Sequence, residues 1–220
     1  MAQIVIFGVG DFAQVAAVYL REDSEHEVVA FTAHDRFIDD RFLLGVPVVP
    51  FEQITESHPP DDVAMLVATG FKRVNRQRTE FYEACKRLGY GFVSYVNSSV
   101  RLYGDVTIGE NTFVFEENVI QPFARIGNNV ILWSGNHIGH HVVIEDHCFI
   151  ASHAVISGRT RIGESSFVGV NATFRDNVTV APHCVIGAGA IIMADTVEGG
   201  VYAPRPTEPL SKKSSDLKNF

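Results

Sequence analysis

The sequence predicts two architectures in one chain: an α/β domain over residues 1–95 and an all-β solenoid from residue 96 onward. The solenoid is predicted by a six-residue repeat that runs without interruption from Val96 to Val197. The α/β domain is predicted by short apolar strands that alternate with helical segments before the repeat begins. A Gly-rich turn, Gly8-Val9-Gly10, directly follows the first of these strands.

The repeat places an aliphatic residue or Phe at every sixth position. These positions are Val96, Leu102, Ile108, Val114, Ile120, Ile126, Leu132, Ile138, Ile144, Ile150, Ile156, Ile162, Val168, Phe174, Val180, Ile186 and Ile192. A period of six fits neither a helix nor a long strand, and indicates a short strand followed by a corner. Three such units close a triangular coil of eighteen residues, and stacked coils bury a continuous apolar column. Each buried apolar side chain contributes ~1.5–3 kcal/mol.

The α/β domain is predicted to be a small open parallel sheet with helices on both faces. Predicted strands cover residues 3–7, 27–31, 62–68 and 92–96, with an edge strand at 46–49 because of its proline. Predicted helices cover residues 13–21 and a segment with one apolar face formed by Val74, Phe81, Cys85 and Leu88, which Gly89 ends.

Composition limits the classes of function. The net charge of −8 over 220 residues argues against a nucleic acid as the main partner. No apolar run approaches the ~20 residues that span a bilayer, and residues 1–7 do not form a cleavable leader. We therefore expect a cytoplasmic protein without a membrane segment. The three cysteines Cys85, Cys148 and Cys184 lack metal-ligand spacing, and the latter two are expected to be buried free thiols.

Two loops in the α/β domain are candidates for binding an anion. Gly8-Val9-Gly10 lies where backbone amides and a helix N-terminus can hold a phosphate, although Ala13 replaces the third glycine of the usual motif. After the third predicted strand, cations crowd the start of the next helix, namely Lys72, Arg73, Arg76 and Arg78. They indicate either a bound anion or a solvated polar face. A dehydrogenase is disfavoured, because no acidic residue ends the second strand at Phe31-Thr32-Ala33.

The segment Ser134–His141 is the candidate for chemistry. Because Ile138 is an inward position, His140 points outward on the wall of the prism. Positions eighteen residues apart share a column, so Gly158 lies one coil from His140 and Asp176 lies two coils away. A glycine beside an outward histidine leaves a backbone N–H open to a carbonyl. Acyl transfer needs such a base near neutral pH and such a donor for the oxyanion.

The whole layout resembles the PglD/NeuD-like sugar acyltransferases of the hexapeptide-repeat superfamily. The resemblance rests on Gly8-Val9-Gly10, the loop 70–73, the long repeat and the closing segment 199–206. It implies a Rossmann-like domain (1–95) that binds a nucleotide-linked amino sugar, a left-handed β-helix (96–205) and a C-terminal tail (206–220). It also implies a homotrimer that binds acetyl-CoA between neighbouring prisms and N-acetylates the sugar for glycan biosynthesis, without a metal.

The resemblance also assigns roles to residues. His140 is the general base, the Gly158 amide is the oxyanion donor, and His141 stands where the family has an acidic residue. Candidates for the missing acidic partner are Glu116, Glu117, Glu145 and Asp146. The predicted acetyl-CoA contacts are Gly158, Phe149, Val170 and Ala188. The predicted contacts of the nucleotide-linked sugar are Gly8, Val9, Gly10, Asp35, Gly70, Lys72 and Trp133, the last replacing a family Asn.

Several alternatives stay open at this point. A sugar O-acyltransferase would use the same base and cosubstrate, and a non-catalytic trimeric sugar-nucleotide-binding protein would keep the solenoid for assembly. A zinc site of the γ-class carbonic anhydrase type is disfavoured because no two histidines are five residues apart, although His137, His140 and His141 are possible ligands. In the tail, Arg205, Lys212 and Lys213 are either contacts of the CoA phosphates or solvated residues.

Overall fold

The computed structural model describes residues 2–209 together with Ser211 and Ser215. Lys212 and Lys213, the predicted phosphate contacts of the tail, lie outside the described residues. The chain forms an N-terminal α/β region followed by a prism of stacked coils, a parallel β-helix. This confirms the predicted fold class, a Rossmann-like α/β region joined to a left-handed β-helix.

The α/β region is built on a five-stranded sheet. Its elements are β1 Gln3–Phe7, α1 Asp11–Asp23, β2 Glu27–Ala33, a 3-10 turn Asp35–Phe37, β3 Phe42–Leu43, β4 Val46–Pro50, a 3-10 turn Phe51–Gln53, α2 Ile54–Ser57, β5 Ala64–Val67 and α3 Arg76–Arg87. The strand order is β3-β4-β2-β1-β5, and β3–β4 is the antiparallel pair. The parallel strands β4-β2-β1-β5 therefore end at one edge of the sheet, where ligands of such sheets bind.

Three sequence predictions for this region need correction. The proline-containing strand β4 is not at the edge, since β3 pairs with it and Val48 N–H donates to the carbonyl of Arg41. The last predicted strand is reduced to Tyr95–Val96. Helix α3 begins only at Arg76, because Val74 lies in the left-handed region before it. Gly89 does end this helix, with φ of +89° and its N–H donating to the carbonyl of Lys86.

The solenoid consists of two-residue strands separated by corners. They are β6 Tyr95–Val96, β7 Thr107–Ile108, β8 Phe113–Val114, β9 Val119–Ile120, β10 Arg125–Ile126, β11 Ile131–Leu132, β12 His137–Ile138, β13 Val143–Ile144, β14 Phe149–Ile150, β15 Val155–Ile156, β16 Arg161–Ile162, β17 Phe167–Val168, β18 Thr173–Phe174, β19 Thr179–Val180, β20 Val185–Ile186, β21 Ile191–Ile192 and β22 Val201–Tyr202. They form three parallel sheets. Wall 1 is β6-β8-β11-β14-β17-β20-β22, wall 2 is β9-β12-β15-β18-β21, and wall 3 is β7-β10-β13-β16-β19.

The register confirms the predicted coil of eighteen residues. His137 pairs with Val155, and Val155 with Thr173, so equivalent residues of successive coils lie side by side. The inward residues from Val114 to Ile192 are buried in one core. Leu102 is the exception: it is 44% exposed, and no strand forms between Val96 and Thr107. Residues 97–106 close the first coil and have a neighbouring coil on one side only, which explains the loss of pairing there.

Two buried asparagines, Asn118 and Asn136, replace small apolar residues at inward corner positions. Their side-chain amides donate to the carbonyl of Trp133, and Asn118 Oδ1 accepts the N–H of Asn136 at 3.2 Å. Asn136 Oδ1 accepts the N–H of Ala154 at 2.8 Å. This ladder satisfies polar groups whose burial without partners would be costly, and it holds the corner that carries Trp133.

A buried polar network joins the α/β region to the solenoid. Arg78 of α3 is completely buried, and its guanidinium donates to the carbonyls of Asn129, His147 and Cys148. It also donates to Asn75 Oδ1 at 3.0 Å. Arg78 was a candidate for an anion site, and the structure corrects this, because its charge is directed at carbonyls of the solenoid. Burial lowers the pKa of Arg78 to about 9.

The remaining fold predictions concern cysteines and membrane segments. Cys85, Cys148 and Cys184 are all buried free thiols, as predicted for the two in the solenoid. Desolvation raises the pKa of Cys85 and of Cys148 to about 12, so both are inert thiols at neutral pH. Within the described part of the chain, no helix has the length and apolar character to cross a bilayer.

Removing the Arg78 side chain should destabilise the junction strongly. In Arg78→Ala several buried carbonyls lose their donor and a cavity opens, so we expect the free energy of unfolding to fall by about 3 kcal/mol or more. The exposed Arg76 on the same helix supplies the control, and Arg76→Ala should change the free energy of unfolding by less than about 0.5 kcal/mol. Chemical denaturation measures both. Equal losses in the two variants would contradict the role assigned to Arg78.

Candidate active site

The predicted sugar-nucleotide contacts meet in a cleft between the carboxyl edge of the sheet and wall 1. The cleft has a volume of about 550 Å³. Its lining includes most of the predicted set, namely Gly8, Val9, Gly10, Gly70, Lys72 and Trp133. Their loops follow β1 and β5, and Trp133 follows β11 in the solenoid. The cleft therefore needs both parts of the chain.

Gly8 and Gly10 shape the floor of this cleft. Gly8 has φ of +142°, and a Cβ there would lie 2.5 Å from the carbonyl oxygen of Ala68, so only glycine lets the ends of β1 and β5 approach. Gly10 is the N-cap of α1 and provides no side-chain cap. The free N–H groups at the start of this thirteen-residue helix thus face a region where a phosphate group would be stabilised.

Aromatic rings form the wall of the cleft on the solenoid side. Trp133 stacks on Phe115 with centroids 4.4 Å apart, and Phe71 contacts Phe149 at 5.0 Å. Among the described residues, the buried Trp133 Nε1 and Thr69 Oγ1 have no hydrogen-bond partner. A wall of this kind offers apolar contact and few polar groups to a ligand.

The structure places two predicted residues differently. Asp35 is exposed and does not line the cleft, because its turn directs His34 and Phe37 there instead. Phe149, predicted as an acetyl-CoA contact, is 5% exposed and lines the cleft on wall 1, away from the corner of Gly158. Both differences arise because counting positions along the chain does not show which side of a turn or wall is covered.

The cleft also contains residues that were not among the predicted sugar contacts. They are Phe7, Asp11, Phe12, Val15, Ala33, His34, Phe37, Ala68, Thr69, Phe71, Gln77 and Phe81. His34 and Thr69 lie just after the ends of β2 and β5. Their positions after predicted strands could have indicated that they line the ligand site. Phe12, Gln77 and Phe81 lie on helices and had no such indication.

His140 lies at the corner between walls 2 and 3, on the turn that joins β12 to β13. Its side chain is exposed, as predicted, and its ring covers Gly158 of the next coil. A Cβ on Gly158 would lie 2.6 Å from Nε2 and from Cε1 of His140, and 3.1 Å from Asp176 Oδ1. Any side chain at residue 158 would therefore displace the imidazole.

The amide of Gly158, a buried residue, has no hydrogen-bond acceptor among the residues that the structure describes. Corresponding corner amides are capped by side chains of adjacent coils: His140 N–H donates to Gln121 Oε1 and Asn128 N–H to Asp146 Oδ1, both at 2.8 Å. Residue 139 is a glycine and cannot cap Gly158 as Gln121 caps His140. No oxygen within residues 2–209 accepts the Gly158 N–H. A donor and a base thus share one small surface.

His141 fixes the other side of the His140 ring. The two Nδ1 atoms are 3.1 Å apart, and the His141 ring packs on Phe123 with centroids 4.6 Å apart. One Nδ1 must donate to the other, and a proton on His140 Nδ1 leaves Nε2, the atom beside Gly158, as the acceptor. The arrangement is therefore compatible with a base at Nε2.

None of the four acidic candidates for a partner of His140 lies at its corner on this chain, and three of them are engaged by other residues. Glu116 accepts from Tyr19 and Ser134, and Glu145 pairs with Arg161. Asp146 caps Asn128 as described, and Glu117 lies one residue after Glu116 at the corner between walls 1 and 2. Asp176, which was not among them, is the carboxylate that lies near the imidazole.

The predicted residues thus occupy three places on one chain. His140, His141 and Gly158 share the corner between walls 2 and 3. Val170 and Ala188 are exposed at the corner between walls 1 and 2, and the cleft lies along wall 1. In the described part of the chain, no three His, Cys, Asp or Glu side chains are grouped to hold a metal ion.

Comparisons with known proteins agree with this architecture. The family described as bacterial transferase hexapeptide (six repeats) matches residues 123–158 and 159–194. No match was found among curated protein sequences.

Solved structures share the fold over nearly the whole chain. The acetyltransferase domain of PglB from Neisseria gonorrhoeae FA1090, in complex with acetyl coenzyme A, is 25% identical with a TM-score of 0.81, covering 95% of this chain and 99% of that one. PerB from Caulobacter crescentus, in complex with CoA and GDP-perosamine, is 24% identical with a TM-score of 0.80, covering 91% and 93%. WeeI from Acinetobacter baumannii AYE is 18% identical with a TM-score of 0.63, covering 87% and 96%.

The repeats, the α/β region before them and the fold over the whole chain all agree with the resemblance seen in the sequence. Over residues 123–194 the chain therefore carries the repeats of the bacterial hexapeptide transferase family, and its fold is that of the PglB acetyltransferase domain, in agreement with the resemblance to the PglD/NeuD-like sugar acyltransferases.

Proposed function

We propose that the chain is an N-acetyltransferase that moves the acetyl group of acetyl-CoA to the amine of a nucleotide-linked amino sugar. The observation that carries this proposal is the imidazole of His140 over the unpaired amide of Gly158. Support also comes from two structural relatives, one in complex with acetyl coenzyme A and one with CoA and GDP-perosamine.

In the proposed reaction, His140 Nε2 accepts a proton from the sugar amine as the nitrogen attacks the thioester carbonyl. The Gly158 N–H donates to the oxygen of the tetrahedral intermediate, where negative charge develops. When the C–S bond breaks, the imidazolium returns the proton to the departing thiolate, so the products are an amide and free CoA. His141 holds the required tautomer of His140 throughout.

The cleft is the proposed site of the nucleotide-linked sugar. The amides of Val9 and Gly10 and the start of α1 suit the diphosphate, with Lys72 as a nearby cation, whereas the Gly8 N–H donates to the carbonyl of Thr32. The sugar would then extend toward Trp133, the residue that connects the cleft to the corner between walls 1 and 2. The Trp133 indole N–H and the Thr69 hydroxyl are unpaired groups available to its oxygens after small side-chain movement.

One chain does not bring this cleft to His140, since wall 2 separates their corners. Wall 2 exposes apolar side chains, with Val119 56%, Val155 39% and Ile191 69% exposed. We propose a homotrimer in which wall 2 faces the threefold axis. The His140 corner of each copy then meets the Trp133 corner of the next copy. Acetyl-CoA would lie at this seam, beside Gly158, Val170 and Ala188. A cytoplasmic location stays a prediction.

The two alternatives differ from this proposal in testable ways. An O-acyltransferase would use His140 and Gly158 in the same way on a sugar hydroxyl, so the acceptor decides between them. A non-catalytic binding protein would not need a base over an unpaired amide, and the Gly158 arrangement therefore favours an enzyme.

Release of free CoA thiol from acetyl-CoA tests the function. We expect release only when a nucleotide-linked amino sugar is present, and not with the matching hydroxyl sugar. His140→Ala should lower kcat by roughly 10²–10⁴, because proton transfer is lost. His183→Asn, at a different corner, should stay near the parent value. Equal turnover on the hydroxyl sugar would support O-acylation, and no turnover with any acceptor would support the binding protein.

A methyl group at Gly158 should separate catalysis from folding. Gly158 does not have positive φ, so Gly158→Ala is unstrained by backbone, but its Cβ would displace the His140 ring. We expect kcat to fall by at least about 100-fold, as when an oxyanion donor is lost, with a small change in Tm. Gly104→Ala is the control, since no atom lies within 4 Å of its Cβ. Full activity of Gly158→Ala would contradict the assigned geometry.

The proposed assembly predicts a mass of three times 24.2 kDa by analytical ultracentrifugation. A charge on wall 2, as in Val119→Glu, should shift this mass toward the single chain and abolish turnover, because a buried unpaired charge opposes association. Thr107→Glu on wall 3 should leave the mass unchanged. A fully active single chain would show that wall 2 is not an interface.

A further inference from the structure

His34 occupies a distinctive place at the carboxyl edge of the sheet. It directly follows β2 and lines the same cleft as Gly8 and Gly10, which follow the adjacent β1. In sheets with this strand order, a nucleotide lies across the ends of these two strands. An acidic residue at the end of the second strand there commonly binds a ribose hydroxyl. This chain has no acidic side chain in the cleft at that point.

The imidazole of His34 is held in a fixed orientation. Its Nδ1 is 2.7 Å from Glu52 Oε1, and Glu52 Oε2 accepts the N–H of Asp35 at 3.2 Å. The ring also makes edge contacts with Phe7 and Phe51 and a tilted contact with Phe81, with centroids 5.5–6.1 Å apart. Packing and a carboxylate thus restrain the ring, and the histidine side chain remains 31% exposed.

The Glu52 contact determines which atom of His34 is free. The hydrogen bond from His34 is the main reason that the pKa of Glu52 lies below its ordinary value. Glu52 is therefore ionised and accepts this hydrogen bond. His34 Nδ1 must then be the donor, and Nε2 of the neutral ring is left as an acceptor. An acceptor in this position can take the hydrogen of a hydroxyl group, as a carboxylate would.

We infer that the His34–Glu52 pair binds the ribose of the nucleotide-linked sugar, with Nε2 of His34 accepting a hydrogen bond from the 2′-hydroxyl. The inference rests on the proposed function for the identity of the ligand. Phe37, 47% exposed on the same side of the cleft, supplies a flat surface where the base can lie next to that ribose. The chain therefore selects ribonucleotides through His34, whose ring the half-exposed carboxylate of Glu52 orients.

Binding of nucleoside diphosphates tests this inference without any acyl transfer. Calorimetry would compare uridine and guanosine 5′-diphosphates with their 2′-deoxy counterparts. We expect the parent to bind at least one ribonucleotide about tenfold more tightly than its deoxy counterpart, the value of one well-formed hydrogen bond. His34→Phe keeps the aromatic contacts but lacks an acceptor, and should bind the two forms within about twofold of each other.

Glu52 supplies a second pair of variants. Glu52→Ala should lose most of the preference because the ring is free to turn, whereas Glu52→Gln should keep much of it through its amide oxygen. His58→Ala, at the opposite edge of the sheet, is the control and should keep all of it. Thermal unfolding would establish that each variant is folded.

Two results would overturn the inference. One is a parent protein that binds ribonucleotides and deoxyribonucleotides equally or binds none of them. The other is a folded His34→Phe variant that keeps the full preference. These results are independent of thiol release: a protein with the preference but without turnover would refute the proposed acetyl transfer alone, and one with turnover but without the preference would refute the role of His34 alone.

Discussion

Stacking of coils at an interval of eighteen residues is the constraint on which the rest of the structure depends. From β6 to β21 the paired residues of neighbouring coils lie at this interval, as in the His137–Val155 and Val155–Thr173 pairs, and only the closing strand β22 pairs at an interval of sixteen. An insertion in one coil would move each later side chain away from its column and expose inward aliphatic residues. The column of His140, Gly158 and Asp176 is therefore a consequence of the same register that buries the apolar core. Chemistry and stability cannot be separated at this corner.

The second constraint is the fixed contact between the α/β region and wall 1. Arg78 donates hydrogen bonds to buried carbonyls of the solenoid, and Val67 N–H donates to Asn111 Oδ1 at 2.7 Å. Aromatic contacts such as Phe71–Phe149 fill the remaining space. Such a junction resists sliding, because each polar group would lose its partner in a new position. The Gly-rich loop of the sheet and Trp133 of the solenoid are consequently held at a constant separation, which a two-part cleft requires.

The sequence predicted those features that depend on local spacing. The buried column, the outward His140, the adjacent Gly158 and the helix end at Gly89 all follow from periodicity or from the conformational range of glycine. It failed where a distant part of the chain decides. Arg78 resembles its exposed neighbour Arg76 in sequence, and only the carbonyls of wall 1 make it a buried residue. Asp35 and His34 are adjacent in the sequence. Glu52 contacts the ring of His34 and the N–H of Asp35, and with these contacts made it is His34 that faces the cleft. Phe149 has an outward position on wall 1, and the α/β region covers this wall.

The exposure of His140 on a single chain bears on why assembly would matter for catalysis. A carboxylate beside the base would stabilise the imidazolium directly, whereas a neutral His141 can orient the ring but adds little electrostatic support. Gly158 itself is buried, but an oxyanion beside the exposed His140 would meet water on a single chain, and this water would screen the dipole of the Gly158 amide. A neighbouring copy over this corner would exclude water and strengthen both interactions without any change in the residues present. In the proposed trimer, the partner surface would exclude water from this corner. This desolvation would partly replace the stabilisation of the imidazolium that an acidic residue next to the base would give. The carboxylate of Asp176, which lies near His140, would act more strongly in the drier site. Burial of this corner in the trimer would bring the cleft next to His140. The same burial would strengthen the hydrogen bond from the Gly158 amide.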